Sequence, residues 1–151
     1  MPDPTIRVSD EVRQTVEAGL RAFNAHDLDG WMALHAEDAV HTQPNRAEPL
    51  RGREAIRADY LAATWTAFPD FRFELARAFG AGGWVCVEGV FTGTHSGPLA
   101  SPGGETIPPT GRQVRVPLCM VLRLAGGRIV EVHEYNDQLG FLAQLGLAAA
   151  G

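Results

Sequence analysis

Apolar positions recur at helical spacing through the first half of the chain and at alternate positions through the second. Val12, Val16, Leu20 and Phe23 share one face of a helix, the three-to-four spacing of an amphipathic segment. Ser9 stands before them as an N-cap, with Asp10 and Glu11 in the first turn where the helix end favours negative charge. The pattern therefore predicts helix one from Ser9 to Asn24. Asp27 can cap a second helix carrying Leu28, Trp31, Met32 and Leu34, and a brief extended segment follows from Ala39 to Gln43. Pro44, Pro49 and Gly52 mark a loop. A third helix, from Arg53 to Ala67, aligns Ile56, Tyr60, Ala63 and Ala67, and Phe68-Pro69-Asp70 ends it.

The period then shortens to two. Phe71, Phe73 and Leu75 alternate with Arg72, Glu74 and Ala76, as in a half-buried strand. The turn Gly80-Ala81-Gly82-Gly83 leads into a strand from Trp84 to His95. A Gly/Pro-rich loop from Ser96 to Gly111 includes Pro98, Pro102, Pro108 and Pro109. It is longer than structureless connections usually are, so a lid and a dimer contact both remain open for it. A hairpin follows, then a short C-terminal helix; the alanine tail, Ala148 to Ala150, is expected to fray. Early helices and a late antiparallel meander define one α+β domain over residues 1–151, with helices packed on one face of a curved sheet.

The last hairpin carries the chemistry. If Ala125-Gly126-Gly127 is its turn, Met120 faces Glu134 and Leu122 faces Val132. Alternation then puts Val132, Glu134 and Asn136 on one face and Glu131, His133, Tyr135 and Asp137 on the other. Beside Met120, Val132 and Leu118, a carboxylate would lose water and its pKa would rise, making Glu134 a base suited to neutral pH. The pattern also admits a solvent face with an ordinary surface glutamate. Asp137 precedes Gln138-Leu139-Gly140 and can cap the terminal helix, which competes with a catalytic role. His133 reads as a structural histidine and Glu131 as solvated or paired with an arginine.

Charge and cysteine content narrow the partners. The net charge is -5 and the 13 Lys and Arg residues are scattered, which disfavours nucleic acid. No apolar run approaches the roughly 18 residues of a spanning helix, and the N-terminus MPDPTIRVSD lacks a signal core, so membranes are not expected and a cytoplasmic location is. Cys86 and Cys119 fall within strands and are expected as reduced, buried thiols. No Cys/His spacing suggests a metal site.

Several ordered segments resemble one family. Leu28-Asp29-Gly30-Trp31 through Glu37-Asp38-Ala39-Val40, Gly52-Arg53-Glu54-Ala55-Ile56, Phe68-Pro69-Asp70, Gly93-Thr94-His95-Ser96-Gly97, Pro109-Thr110-Gly111-Arg112, and Asp137-Gln138-Leu139-Gly140 ending in Gln144-Leu145-Gly146 look like the SnoaL-like polyketide cyclase, or ester cyclase, family of the NTF2-like superfamily. The resemblance spans nearly the whole chain. It implies a cone of about three N-terminal helices over a strongly curved, mostly antiparallel sheet, enclosing an apolar cavity. It also implies an aldol ring closure with neither metal nor organic cofactor, run by one strand-borne aspartate, and a homodimer paired through the outer sheet face. Aligned on the final hairpin, that aspartate falls on Glu134 and a facing histidine falls on Met120, which cannot donate a hydrogen bond.

The candidate catalytic residues are therefore Glu134, Asp137, His95 and His41. His95 closes a strand at the mouth of the long loop, and His41 lies on the short strand after helix two. Trp31, Tyr60, Trp65, Met120, Val132 and Asn136 are candidates to line the substrate site, although core packing explains the aromatic residues equally well. His26 and His35, in helix-terminal segments, are expected at the surface. The leading function is an acid/base enzyme on an apolar or polycyclic carbonyl compound, with His95 or His41 stabilising an enolate. The alternatives are a non-catalytic ligand-binding domain, or an epoxide or ester hydrolase. The hydrolase would require an inward arginine, for which Arg112, Arg115 and Arg123 are the candidates considered.

Overall fold

The structure, a computed structural model, describes residues 5–101 and 103–147, with backbone only for Thr5 and Ile6. The expected fraying of Ala148 to Ala150, and Pro102 of the long loop, lie outside the described residues. The strand β1 (Thr5–Arg7) precedes α1 (Asp10–Asn24), and α2 (Leu28–Ala33) leads directly into β2 (His35–Thr42). Ser9 and Asp27 cap the two helices through Val12 N and Gly30 N, as their side-chain chemistry predicts. A short β3 (Leu50–Arg51) and α3 (Arg53–Tyr60) follow. The last turns of the expected third helix differ: Leu61–Trp65 widens into a π-helical turn, closed by Thr66 N donating to Leu61 O at 2.9 Å.

The strands β4 (Arg72–Ala81), β5 (Trp84–Thr94), β8 (Gln113–Ala125) and β9 (Arg128–Asn136) form the antiparallel meander. The sheet order is β1-β4-β5-β8-β9-β2-β3, and among the described residues the parallel pairings are β1–β4 and β2–β9. Register shifts at Leu75/Arg77, Arg123/Leu124 and His35/Val40 bend the strands, because a bulge adds local twist. The long loop is not structureless. It contains a small hairpin, β6 (Leu99–Ala100) with β7 (Thr106–Ile107), and its neck is tied by His95 N to Arg112 O and Gly111 N to His95 O. The chain ends in α4 (Gln138–Gln144), capped by Asp137.

The closing hairpin has the register expected from its turn. Gly126 and Gly127 take φ of 60° and 74°, the left-handed conformations that a two-residue hairpin turn demands and that glycine adopts without strain. Next to the turn Ala125 pairs with Arg128 and Leu124 with Ile129; one bulge then shifts the pairing by a residue, and from Arg123↔Glu131 to Leu118↔Asn136, including Met120↔Glu134, it has the expected register. Leu118, Met120, Leu122 and Leu124 consequently face the helices. Val12, Trp31, Ile56, Phe73 and Val132 belong to the larger buried cluster, and Phe68, Phe71, Val114 and Leu145 to a second one.

His35 corrects the surface expectation. The strand β2 begins at His35, four residues before the predicted extended segment, and the imidazole is fully buried edge-on to Trp31. Its Nδ1 shares a hydrogen bond with Trp31 O at 3.0 Å. His26, by contrast, is exposed, stacked on Phe71.

Candidate active site

A cavity of about 210 Å³ lies between the helices and the concave sheet face. Its walls are mostly apolar, including Phe23, Phe68, Phe73, Phe91 and Leu118, but one side carries Gln43, Arg46, Asp59, Tyr60, Glu134 and Asn136. The residues come together because β9 runs beside β2, whose end releases the Gln43–Arg46 loop, while α3 crosses above. That convergence is a property of the sheet order and not of any local motif.

Glu134 is the centre of the polar side. Its side chain is 14% exposed, and Oε2 accepts from Gln43 Nε2 at 3.0 Å and Asn136 Nδ2 at 3.2 Å. Its Oε1 makes no comparable bond among the described residues; His41 Nε2 stands 4.0 Å away, beyond hydrogen-bond reach. Burial, followed by the nearby Asp59 charge, pushes the Glu134 pKa up to about 7, against the lowering effect of the Asn136 N–H. A carboxylate oriented through one oxygen, with the other left for a proton, and half ionised near neutral pH, has the properties of a general base.

The surrounding charges are arranged around it. Asp59 accepts from Arg46 Nη2 at 2.6 Å. Burial raises its pKa while the guanidinium opposes that rise. His41 is 1% exposed, and burial first, then the charges of His35, Arg46 and His133, bring its pKa down to about 4. The imidazole is thus neutral at pH 7, and the contact with Glu134 is no ion pair there. Tyr60, also buried, is held well above the ordinary phenol pKa by burial and then by Glu134 and Asp59.

The expected site residues are divided by the fold. Glu134, Met120, Asn136, Trp31 and Tyr60 line the cavity, and His41 sits behind Glu134. Val132 is fully buried in the core beneath it. Trp65 packs edge-on to Phe23 and donates to His26 O, so it serves the core instead of the lining. Asp137 is exposed and accepts from Gly140 N at 2.9 Å: it follows the last residue of β9 and caps α4, outside the cavity lining. His95 is buried, shares a hydrogen bond with Thr110 Oγ1 at 2.9 Å and packs on Phe68. It braces the loop neck and lies outside the lining.

Gln43, Arg46 and Asp59 were absent from the expected site. Arg46 lies in the stretch that reads as a Pro/Gly loop, and Asp59 is one position before Tyr60 on α3; only the latter adjacency offered a signal. Of the arginines considered from sequence, Arg123 pairs with Glu131 on the outer face, and neither Arg112 nor Arg115 lines the cavity. His133 bonds Thr42 and Glu131 on that outer face. Cys86 and Cys119 are free thiols there, half-buried, with their sulfurs 3.2 Å apart. Among the described residues no cluster of three or more His, Cys, Asp or Glu side chains is placed to hold a metal ion, and no helix is long and apolar enough to cross a membrane.

A helix-covered, bent and mostly antiparallel sheet gives the chain the NTF2-like α+β fold. The SnoaL-like domain model matches residues 16–132, and the chain belongs to that family. Among solved structures, it is similar to IdmH, a proposed polyketide cyclase from Streptomyces antibioticus, at 31% identity and TM-score 0.73, covering 91% of this chain and 99% of that one. A proposed SnoaL-like polyketide cyclase from Jannaschia sp. CCS1 shares the fold at 23% identity and TM-score 0.75, covering 91% and 95%. A protein from Catenulispora acidiphila with a ketosteroid isomerase-like fold does so at 22% and 0.72, covering 91% and 96%. No curated protein matches the chain.

Proposed function

We propose that this protein is a cofactor-independent acid/base enzyme acting on a small, largely apolar carbonyl compound, by an aldol-type ring closure or a related isomerisation. Glu134 Oε1 takes a proton from the carbon next to the carbonyl. The C–H electron pair becomes the enolate double bond, the carbonyl π pair moves to oxygen, and the enolate carbon then attacks a second carbonyl or is reprotonated elsewhere. The proton on Glu134 returns to the product. One observation carries the reading: a carboxylate in an apolar cavity, fixed through Oε2 by Gln43 and Asn136, with its pKa near 7. Family membership supports it. A single cytoplasmic domain, paired through the outer face where Phe79, Trp84 and Tyr135 are exposed, is part of the same proposal.

The test uses 5-nitrobenzisoxazole, whose ring C–H is removed by a base as its N–O bond breaks to give a coloured phenolate. The expected rate rises with pH about a midpoint near 7, and Glu134→Gln loses at least about a hundredfold. Equal rates for the two proteins overturn the reading, and a normally titrating Glu134 would favour a ligand-binding domain, the role for which Met120 opposite it argues. The Arg46–Asp59 pair favours a second reading, hydrolysis of an epoxide or ester with Glu134 activating water. Turnover of styrene oxide or 4-nitrophenyl acetate that is lost in Arg46→Met would select it.

A further inference from the structure

The polar side of the cavity holds a donor that no protein group uses. Tyr60 is 6% exposed and lines the cavity, yet its hydroxyl has no hydrogen-bond partner among the described residues. Leaving such a group unpaired is costly, so its position calls for a partner that arrives from outside the chain. Several observations fix where that partner would sit. Tyr60 follows Asp59 on α3, and both side chains reach the cavity that Glu134 enters from β9. Burial and then the charges of Glu134 and Asp59 raise the phenol pKa, while the Trp31 side chain acts in the opposite sense. Trp31 meets the Tyr60 ring edge-on at 5.9 Å, and its own Nε1 is likewise unpartnered. The Arg46 Nε, in the same polar group, is a third buried donor without a partner.

We propose that the Tyr60 hydroxyl is a catalytic residue that donates a hydrogen bond to the substrate's carbonyl oxygen, opposite Glu134, with Arg46 supplying positive charge to the same oxygen. This rests on the reading of Glu134 as the base and deepens it: the substrate is one whose acceptor oxygen becomes an enolate. As Glu134 Oε1 takes the proton, the carbonyl oxygen gains the electron pair, and the Tyr60 O–H bond strengthens with the charge it meets. The phenol keeps its own proton throughout, consistent with its raised pKa. Neither His95, which lies outside the cavity lining, nor Met120, which has no donor, can fill this role. His41 stands behind Glu134, outside the cavity lining.

The probe is 4-nitrophenolate, a single-ring anion whose oxygen mimics the enolate. Binding is followed by its absorbance at about pH 8.5, above the ordinary carboxylate range, in Glu134→Gln protein, so that the outcome is independent of whether Glu134 acts as a base. The expected result is saturable binding that weakens about tenfold to a hundredfold when Tyr60→Phe is added. Equal affinity with and without the hydroxyl, or no saturable binding, overturns the assignment. The elimination assay separates the two failures: a Glu134-dependent rate with no loss in Tyr60→Phe sinks the donor and leaves the base standing. A second measurement avoids any folding defect. The chain has two tyrosines, and Tyr135 is exposed on the opposite sheet face, so 3-fluorotyrosine labelling gives a separate fluorine signal for each. Saturation with the probe should move the Tyr60 signal and leave that of Tyr135 in place; a stationary Tyr60 signal refutes the contact.

Discussion

Replacing Glu134 by Gln should stabilise the protein, and by an amount that grows with pH. In the folded chain the Glu134 pKa is pushed up to about 7 from 4.5, so between those values the native state binds more protons than the unfolded state. A carboxyl raised in this way favours folding at low pH and loses that advantage as pH rises through 7. Weighing the two protonation equilibria, the cost of ionised Glu134 is about 0.8 kcal/mol at pH 5 and about 3 kcal/mol at pH 8. Glutamine retains a carbonyl oxygen for Gln43 and Asn136 but carries no charge, so most of this cost disappears. Denaturant unfolding of both proteins at pH 5 and pH 8 isolates the effect, because the other titrating groups are common to the two and largely cancel. The stability difference should widen by about 2.5 kcal/mol in favour of the variant, a melting shift of about 5–10 °C at this chain length. A difference that stays constant with pH would show that Glu134 is hydrated and that its environment is not that of a base.

Two further substitutions separate the neighbours of Glu134. Asp59→Asn removes the like charge that helps hold the glutamate proton, so the carboxyl should titrate lower, as followed by carbon-13 NMR of labelled glutamate; an unchanged or higher midpoint would mean that the Asp59 charge does not act on Glu134. Asp137→Ala removes only the bond to Gly140 N, so unfolding should become easier by about 1 kcal/mol while the elimination rate stays within twofold; a larger rate loss would make Asp137 part of the chemistry.

The parts of this arrangement legible in the sequence are those set by local rules. Gly126-Gly127 fixes a turn, one bulge beyond Leu124 shifts the pairing by a residue, and the resulting register puts Glu134 opposite Met120 and turns His133 outward. Ser9, Asp27 and Asp137 were legible as caps because one side chain satisfies one nearby N–H. What stayed hidden depends on distant pairing. His35 looked like the end of a helix, and only the pairing of β2 with β9 buries it. Arg46 and Asp59 are 13 residues apart and meet because α3 folds back over the loop. The widened turn after Tyr60 has no counterpart in the apolar spacing, which continues across it to Ala67.

The site also explains why the surrounding fold is so apolar. Glu134 half ionised, together with His35 and His41 held neutral with pKa values near 4, means three buried groups kept from the charge states that water would give them. Each displacement opposes folding over part of the pH range: the glutamate above pH 5, and the histidines as pH falls below about 6.5. These costs act at opposite ends of the scale: at neutral pH the glutamate's is already nearly complete, at about 3 kcal/mol, and the histidines' is nearly absent. The clusters on either side, one built on Trp31, Ile56 and Phe73 and the other on Phe68, Phe71 and Leu145, supply the burial that tolerates them. The same burial that weakens the fold is what places the Glu134 pKa near 7. Stability and basicity at this position are therefore one quantity, and a substitution that hydrates Glu134 should raise the first while lowering the second.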